Sequence, residues 1–101
     1  MQRAQLVSLI LQTVTDLADP EAIKHAAALD EHTPLFGRGG LFDSMGLISV
    51  VLAVEQEVNA ATGAAVTVAD DRAMSQTRSP FGTAGLLADY IRGLLDERGI
   101  A

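Results

Sequence analysis

Apolar residues recur at the 3.6-residue spacing of an α-helix in three separate segments of this 101-residue chain. The first segment covers roughly residues 3–18, where the apolar side chains follow the i, i+3, i+4, i+7 pattern of an amphipathic helix. These residues are Val7, Ile10, Leu11, Val14 and Leu17. The second segment has the strongest pattern, a stripe of Leu47, Val51, Val54 and Val58 that is widened by Ile48 and Leu52. We expect it to end near Thr62-Gly63, since a glycine commonly follows a helix end.

The third segment begins after Thr83, whose hydroxyl is a suitable N-cap. Its apolar face consists of Ala84, Leu87, Ile91 and Leu94, flanked by Leu86, Tyr90 and Leu95. Val66-Thr67-Val68 is too short to establish a sheet. The pattern therefore predicts an all-α fold, a bundle of three main helices in a single domain over residues 1–101.

The connections between the main helices predict one or two short helices and one long loop. Asp19-Pro20-Glu21 combines an N-cap, a proline at the first helical position and a first-turn acid, so a short helix or an irregular insertion follows as far as Leu29. Residues 32–42 contain Pro34 and several glycines and predict a long loop before the second main helix. Its apolar residues should pin it to the core; they are Leu35, Phe36, Leu41 and Phe42. Asp70 or Asp71 would cap a brief helix that Pro80 ends.

The composition excludes several classes of function. The chain has no cysteine, which excludes disulfides, thiolate zinc sites and a nucleophilic thiol of its own. Its formal net charge of −6 argues against a nucleic-acid groove or a polybasic membrane surface, because both need clustered Lys and Arg. His25 and His32 have no partners at metal-ligand spacing, and residues 37–40 lack the Gly-Lys-Ser/Thr ending of a phosphate-binding loop. We expect a cytoplasmic protein with no metal site, no membrane insertion and no enzymatic activity of its own.

The negative charge is concentrated in the middle of the chain. Residues 39–71 contain acidic residues but no Lys or Arg, and their net charge of −5 accounts for most of the excess. This charge has two interpretations, a solvated face or a docking surface for basic partners, whose encounter rate it would raise.

One motif stands out, the run Gly39-Gly40-Leu41-Phe42-Asp43-Ser44-Met45 that leads into the second main helix. With Asp43 as the N-cap, Ser44 is the first helical residue and its hydroxyl faces solvent. The free backbone N–H groups of a first turn and the helix dipole favour an anion there by roughly 0.3–1 kcal/mol. A phosphodiester on Ser44 would suit this setting, although Asp-Ser is also an ordinary helix cap.

At these residues the sequence resembles the acyl carrier proteins, small acidic helical bundles that bear a 4′-phosphopantetheine arm on a serine. Their attachment motif, Asp-Ser and a bulky apolar residue, corresponds to Asp43-Ser44-Met45. The loop at Leu35, the second main helix and the closing helix are also similar to the family, so the resemblance covers residues 35–95 best. Residues 72–81 are similar to discrete bacterial carriers of specialised pathways.

The resemblance implies a function and a set of partners. A phosphopantetheinyl transferase would recognise Asp43 and Met45 and attach the arm from coenzyme A to Ser44. An acyl- or aminoacyl-loading ligase or transferase would charge the arm as a thioester, and a ketosynthase or another acyl-using enzyme would take the cargo. Fatty acyl, polyketide, amino acyl and D-alanyl cargoes all remain open, and the family implies a monomer.

The chain departs from the family pattern where partners usually dock. Gly46 and Ser49 stand where acidic residues are often found. We therefore expect docking through both apolar and acidic residues; they are Met45, Leu47, Ile48, Glu55, Glu57, Asp70 and Asp71. Two alternatives remain: a helical protein-interaction module in which Ser44 is only a cap, and a carrier-like domain that has lost its modification.

Overall fold

This computed structural model describes residues 1–21, 29–35, 41–42, 44–68 and 82–99. Three helices make up most of these described residues. They are α1, Arg3–Leu17; α2, Ser44–Thr62; and α3, Ala84–Glu97. Within the described residues the β-type pairing is limited to an isolated antiparallel bridge between Pro34 and Thr83. The predicted all-α bundle of three main helices is confirmed. No helix in this part of the chain is both long and apolar enough to cross a membrane.

The helix ends follow local signals in the sequence. α2 ends at Thr62, and Gly63 adopts a left-handed φ of 72° while its N–H donates to the Asn59 carbonyl at 2.9 Å. The Thr83 hydroxyl accepts a hydrogen bond from the Leu86 N–H at 3.1 Å and caps α3. Both predicted boundaries are confirmed.

The start of a further helix after α1 is also confirmed. Pro20 and Glu21 are helical, and the Asp19 carboxylate accepts a hydrogen bond from the Glu21 N–H at 2.9 Å. The rest of that predicted helix, residues 22–28, lies outside the described residues, and Leu29 is not helical. The brief helix predicted from Asp70 or Asp71 to Pro80 lies outside them as well.

The hydrophobic core forms where α1 packs against both α2 and α3. Its fully buried side chains include Leu6, Ile10, Val14, Leu35, Val50, Val54, Val58, Leu87, Ile91 and Leu95. The predicted α3 face lies in this core, and so does the α2 stripe of Leu47, Val51, Val54 and Val58. Ile48 and Leu52, which were predicted to widen the α2 stripe, are exposed instead. The face of α1 is rotated from the expected one: Leu6 is buried, and Leu17 is 47% exposed. Apolar residues occupy several sides of α1 around Leu9, so their spacing alone did not determine which side of the helix packs against the core.

Candidate functional site

The residue that resembles the modified serine, Ser44, is the first residue of α2. The next residue, Met45, is 76% exposed, so this end of the helix lies at the protein surface. The first turn contains no acidic residue, and the positive end of the helix dipole lies there. The setting therefore suits a phosphate group. Asp43, predicted as the cap, and the predicted orientation of the Ser44 hydroxyl lie outside what the structure describes.

The loop before Ser44 is held by a short segment, residues 31–35, which we call the brace. The Leu41 N–H donates to the Pro34 carbonyl at 3.2 Å, and the Phe42 N–H donates to the Leu35 carbonyl at 3.0 Å. Leu35 is fully buried, and Leu41 and Phe42 pack against the core. The prediction that apolar residues pin this loop is confirmed for these three; Phe36 lies outside the described residues.

The other side of the brace is bonded to the N-terminus of α3. The Leu35 N–H donates to the Gly82 carbonyl at 2.9 Å, and the Ala84 N–H donates to the Thr33 carbonyl at 3.1 Å. The Gly85 N–H donates to the Glu31 carbonyl at 2.7 Å. Two of the N–H groups that a helix start leaves free are thus satisfied by the brace. The brace joins α3 to the loop that enters α2.

Gly85 allows this close approach. A Cβ at this position would lie 2.8 Å from the Glu31 carbonyl oxygen and 3.1 Å from Nη2 of Arg3. Arg3 in turn makes ion pairs with Glu31, Nη1 to Oε2 at 3.1 Å, and with Asp89, Nε to Oδ1 at 2.6 Å. The hydrogen bond to Asp89, followed by that to Glu31, raises the pKa of Arg3 further above its ordinary value. Arg3 therefore remains a cation that links α1, the brace and α3.

An exposed apolar stripe runs along α2 from its N-terminus. Met45, Ile48 (51% exposed) and Leu52 (46% exposed) lie at i, i+3 and i+7, on one side of the helix. Residues 44–54 carry no charge. Met45 and Ile48 are therefore accessible, as their predicted docking role requires. Leu47, which was also predicted to dock partners, is only 7% exposed and belongs to the core, so its side chain is not part of this exposed stripe.

Two of the predicted acidic docking residues, Glu55 and Glu57, lie on α2 far from Ser44. Glu55 is half-buried and Glu57 is exposed; Asp70 and Asp71 lie outside the described residues. Glu57 lines an open groove of about 390 Å³ between α1 and α2, together with Asp16 and Leu17. At 1.5 Å per residue, Glu57 lies roughly 20 Å along the helix axis from Ser44. The structure does not bring the groove and the start of α2 together.

Leu52 was not predicted to be a surface residue, and no role was predicted for Arg3 or Gly85. Leu52 carried a usable signal, because it is seven residues after Met45 and the two lie on the same helical side. Arg3 carried no such signal, and the only signal at Gly85 was a glycine near the start of a helix. The partners of both residues are distant in the chain.

In comparisons with known proteins, the chain has no significant match to a family model, to a curated protein or to a solved structure.

Proposed function

We propose that the chain is an acyl carrier protein that bears 4′-phosphopantetheine on Ser44. The observation that carries the proposal is the position of the serine of the Asp43-Ser44-Met45 motif: Ser44 is the first residue of α2, beside Met45, which is 76% exposed. An acidic bundle of three main helices, free of cysteine, is the framework that the resemblance leads us to expect. A thiol would then reach the protein on the arm.

The residues at the start of α2 fit such an arm. The positive end of the helix dipole at the start of α2 stabilises a phosphodiester. No first-turn carboxylate repels it. The bound arm would supply a terminal thiol that holds the cargo as a thioester, and the chain's own residues would present that cargo to enzymes.

The partners follow from this proposal. A phosphopantetheinyl transferase loads Ser44, a ligase or acyltransferase charges the arm, and a ketosynthase or another acyl-using enzyme unloads it. The exposed stripe of Met45, Ile48 and Leu52 is the surface nearest to Ser44 on which such enzymes would dock. The pathway would be cytoplasmic, where coenzyme A and the transferase are found.

The test is modification of the purified protein by coenzyme A and a transferase of broad specificity, followed by intact-protein and peptide mass spectrometry. We expect a gain of one phosphopantetheine mass per chain, located on Ser44. Ser44→Ala should abolish the gain. Ser49→Ala is the matched control, because it removes an exposed serine from the same helix and should leave modification intact. An unmodified wild-type protein under conditions that load a known carrier would refute the proposal.

A second candidate is a non-catalytic interaction module, and the exposed stripe on α2 favours it because the stripe itself needs no prosthetic group. In that case Ser44 is only a helix cap. The two candidates differ in one measurement: Ser44→Ala removes carrier function but would leave partner binding by a module intact, with about 1 kcal/mol of stability lost at most.

A further inference from the structure

The segment that leads into α2 is connected to the N-terminus of α3 through the brace, by backbone hydrogen bonds on both sides of the brace. They run from the Gly85 N–H to the Glu31 carbonyl, along the brace, and from the Pro34 and Leu35 carbonyls to the N–H groups of Leu41 and Phe42. Phe42 is two residues before Ser44. The position of the brace on α3 therefore influences where the chain enters α2.

The contact between the brace and α3 leaves no room for a side chain. The Cβ of an alanine at position 85 would be 2.8 Å from the Glu31 backbone oxygen, a distance that real Cβ atoms do not adopt. Its other near neighbours are Arg3 Nη2 at 3.1 Å and the Glu31 Cβ at 3.2 Å. Since the closest atom belongs to the backbone, the brace itself must shift to relieve the overlap.

Arg3 holds the same contact from the side of α1. It bridges the carboxylates of Glu31, on the brace, and Asp89, on α3. Both carboxylates are partly exposed, so the energy of each pair is modest, but the forked guanidinium fixes their relative position. Arg3 and Gly85 thus both support the contact between the brace and α3. Arg3 does so through its ion pairs, and Gly85 does so because it has no side chain to keep the brace away.

We infer that Gly85 and Arg3 are positioning residues for Ser44: they seat the brace on α3, and the brace sets the loop through which Ser44 is presented. The inference rests on the proposed function for its consequence, the rate of modification at Ser44. The structural part of the inference is that a change at position 85 affects Leu41 and Phe42. This part does not depend on the proposed function.

The experiment compares Gly85→Ala with Gly93→Ala, two substitutions in the same helix. Gly93 is the matched control because nothing lies within 4 Å of the place that its Cβ would occupy. Both variants replace a glycine of α3 by alanine, and only Gly85→Ala brings the new Cβ against the brace, so their difference reports the displaced brace. Two readouts are taken on folded protein: hydrogen exchange at the Leu41 and Phe42 amides by NMR, and the kcat/KM of the transferase for the variant.

In Gly85→Ala we expect the Leu41 and Phe42 amides to exchange about tenfold faster relative to the Ile10 amide in the core of α1. We expect kcat/KM for modification to fall about fivefold or more, because displacing a reacting group by an ångström is costly. Gly93→Ala should change neither readout. Arg3→Met removes both ion pairs, should loosen the same two amides, and decides the matter alone if Gly85→Ala does not fold.

The outcomes separate the inference from the proposed function. Unchanged relative exchange at Leu41 and Phe42 in both Gly85→Ala and Arg3→Met would overturn the link. Faster exchange with an unchanged kcat/KM would overturn the positioning role for Ser44. If even the wild-type protein is not modified, the proposed function fails, while the exchange comparison still decides whether the brace connects α3 to the start of α2.

Discussion

At the scale of single residues, Asn59 holds the chain after α2 in place. Its side-chain amide accepts a hydrogen bond from the Val66 N–H at 2.9 Å and donates one to the Val66 carbonyl at 3.1 Å. Val66 and Val68 are buried in the core, so this turn returns the chain to the interior. The two bonds replace water for both backbone groups of a buried residue.

Asn59→Ala should therefore lower the free energy of unfolding by about 1–3 kcal/mol, since it leaves the N–H and carbonyl of Val66 without partners. The measurement is urea unfolding followed by far-UV circular dichroism. Gln56→Ala, at an exposed position on the same helix, is the control and should change stability by about 0.5 kcal/mol or less. Equal losses in the two variants would contradict the role of Asn59.

Residues whose partners are close in the chain were predictable, and residues with distant partners were not. The Thr83 cap, the end of α2 at Gly63 and the Asp19 cap rest on hydrogen bonds that span four residues or fewer. Gly85 and Glu31 are brought together only by the complete fold. Their importance depends on a packing distance that no local pattern encodes.

At the scale of elements, α2 has one side buried in the core and one side exposed to solvent, and the two were not equally predictable from the sequence. The side in the core was predicted because its apolar spacing is regular and is interrupted by polar residues. On the outer side, Met45 and Ile48 were predicted to dock partners, whereas Leu52 was assigned only to the buried stripe although it lies on the same side of the helix as Met45. Leu47 was predicted both to lie in the core stripe and to dock partners, and the structure places it in the core.

On the proposed function, the stripe predicts docking through apolar contact. The variant Met45→Gln/Ile48→Gln/Leu52→Gln should raise the KM of the transferase about tenfold or more, because contact with these side chains would bury apolar area worth more than 1.4 kcal/mol. Glutamine preserves helix propensity, so the fold should be retained. Leu86→Gln, an exposed leucine on α3, is the control and should leave KM unchanged.

The same surface predicts a weak response to salt. Since residues 44–54 carry no charge, raising NaCl from about 0.05 M to about 0.5 M should change this KM less than about threefold. A steep rise in KM with salt, abolished by Glu55→Gln or Glu57→Gln, would show instead that the acidic residues farther along α2 govern docking.

At the scale of the whole molecule, α1 is the element that packs against both other main helices. Ile10 lies in the middle of its buried face and is fully buried. The brace adds a second connection, since Arg3 at the start of α1 bonds to Glu31 and to Asp89 of α3. Loosening α1 should therefore affect α2 and α3 together, and the bundle should unfold as one unit.

Ile10→Ala tests this cooperativity. The cavity should cost about 2–5 kcal/mol, a large part of the roughly 5–15 kcal/mol that stabilises a small domain. Urea unfolding is followed by far-UV circular dichroism, which reports all helices, and by the fluorescence of Tyr90, the one tyrosine in a chain without tryptophan. Because Tyr90 lies in α3 while the substitution lies in α1, coincident curves at a lowered midpoint mean that α1 couples the bundle. Leu86→Ala, on the surface of α3, should barely move the midpoint. A Tyr90 transition that stays at its wild-type midpoint while the circular dichroism shifts would mean that α3 is stable without α1, contrary to a core built around Ile10.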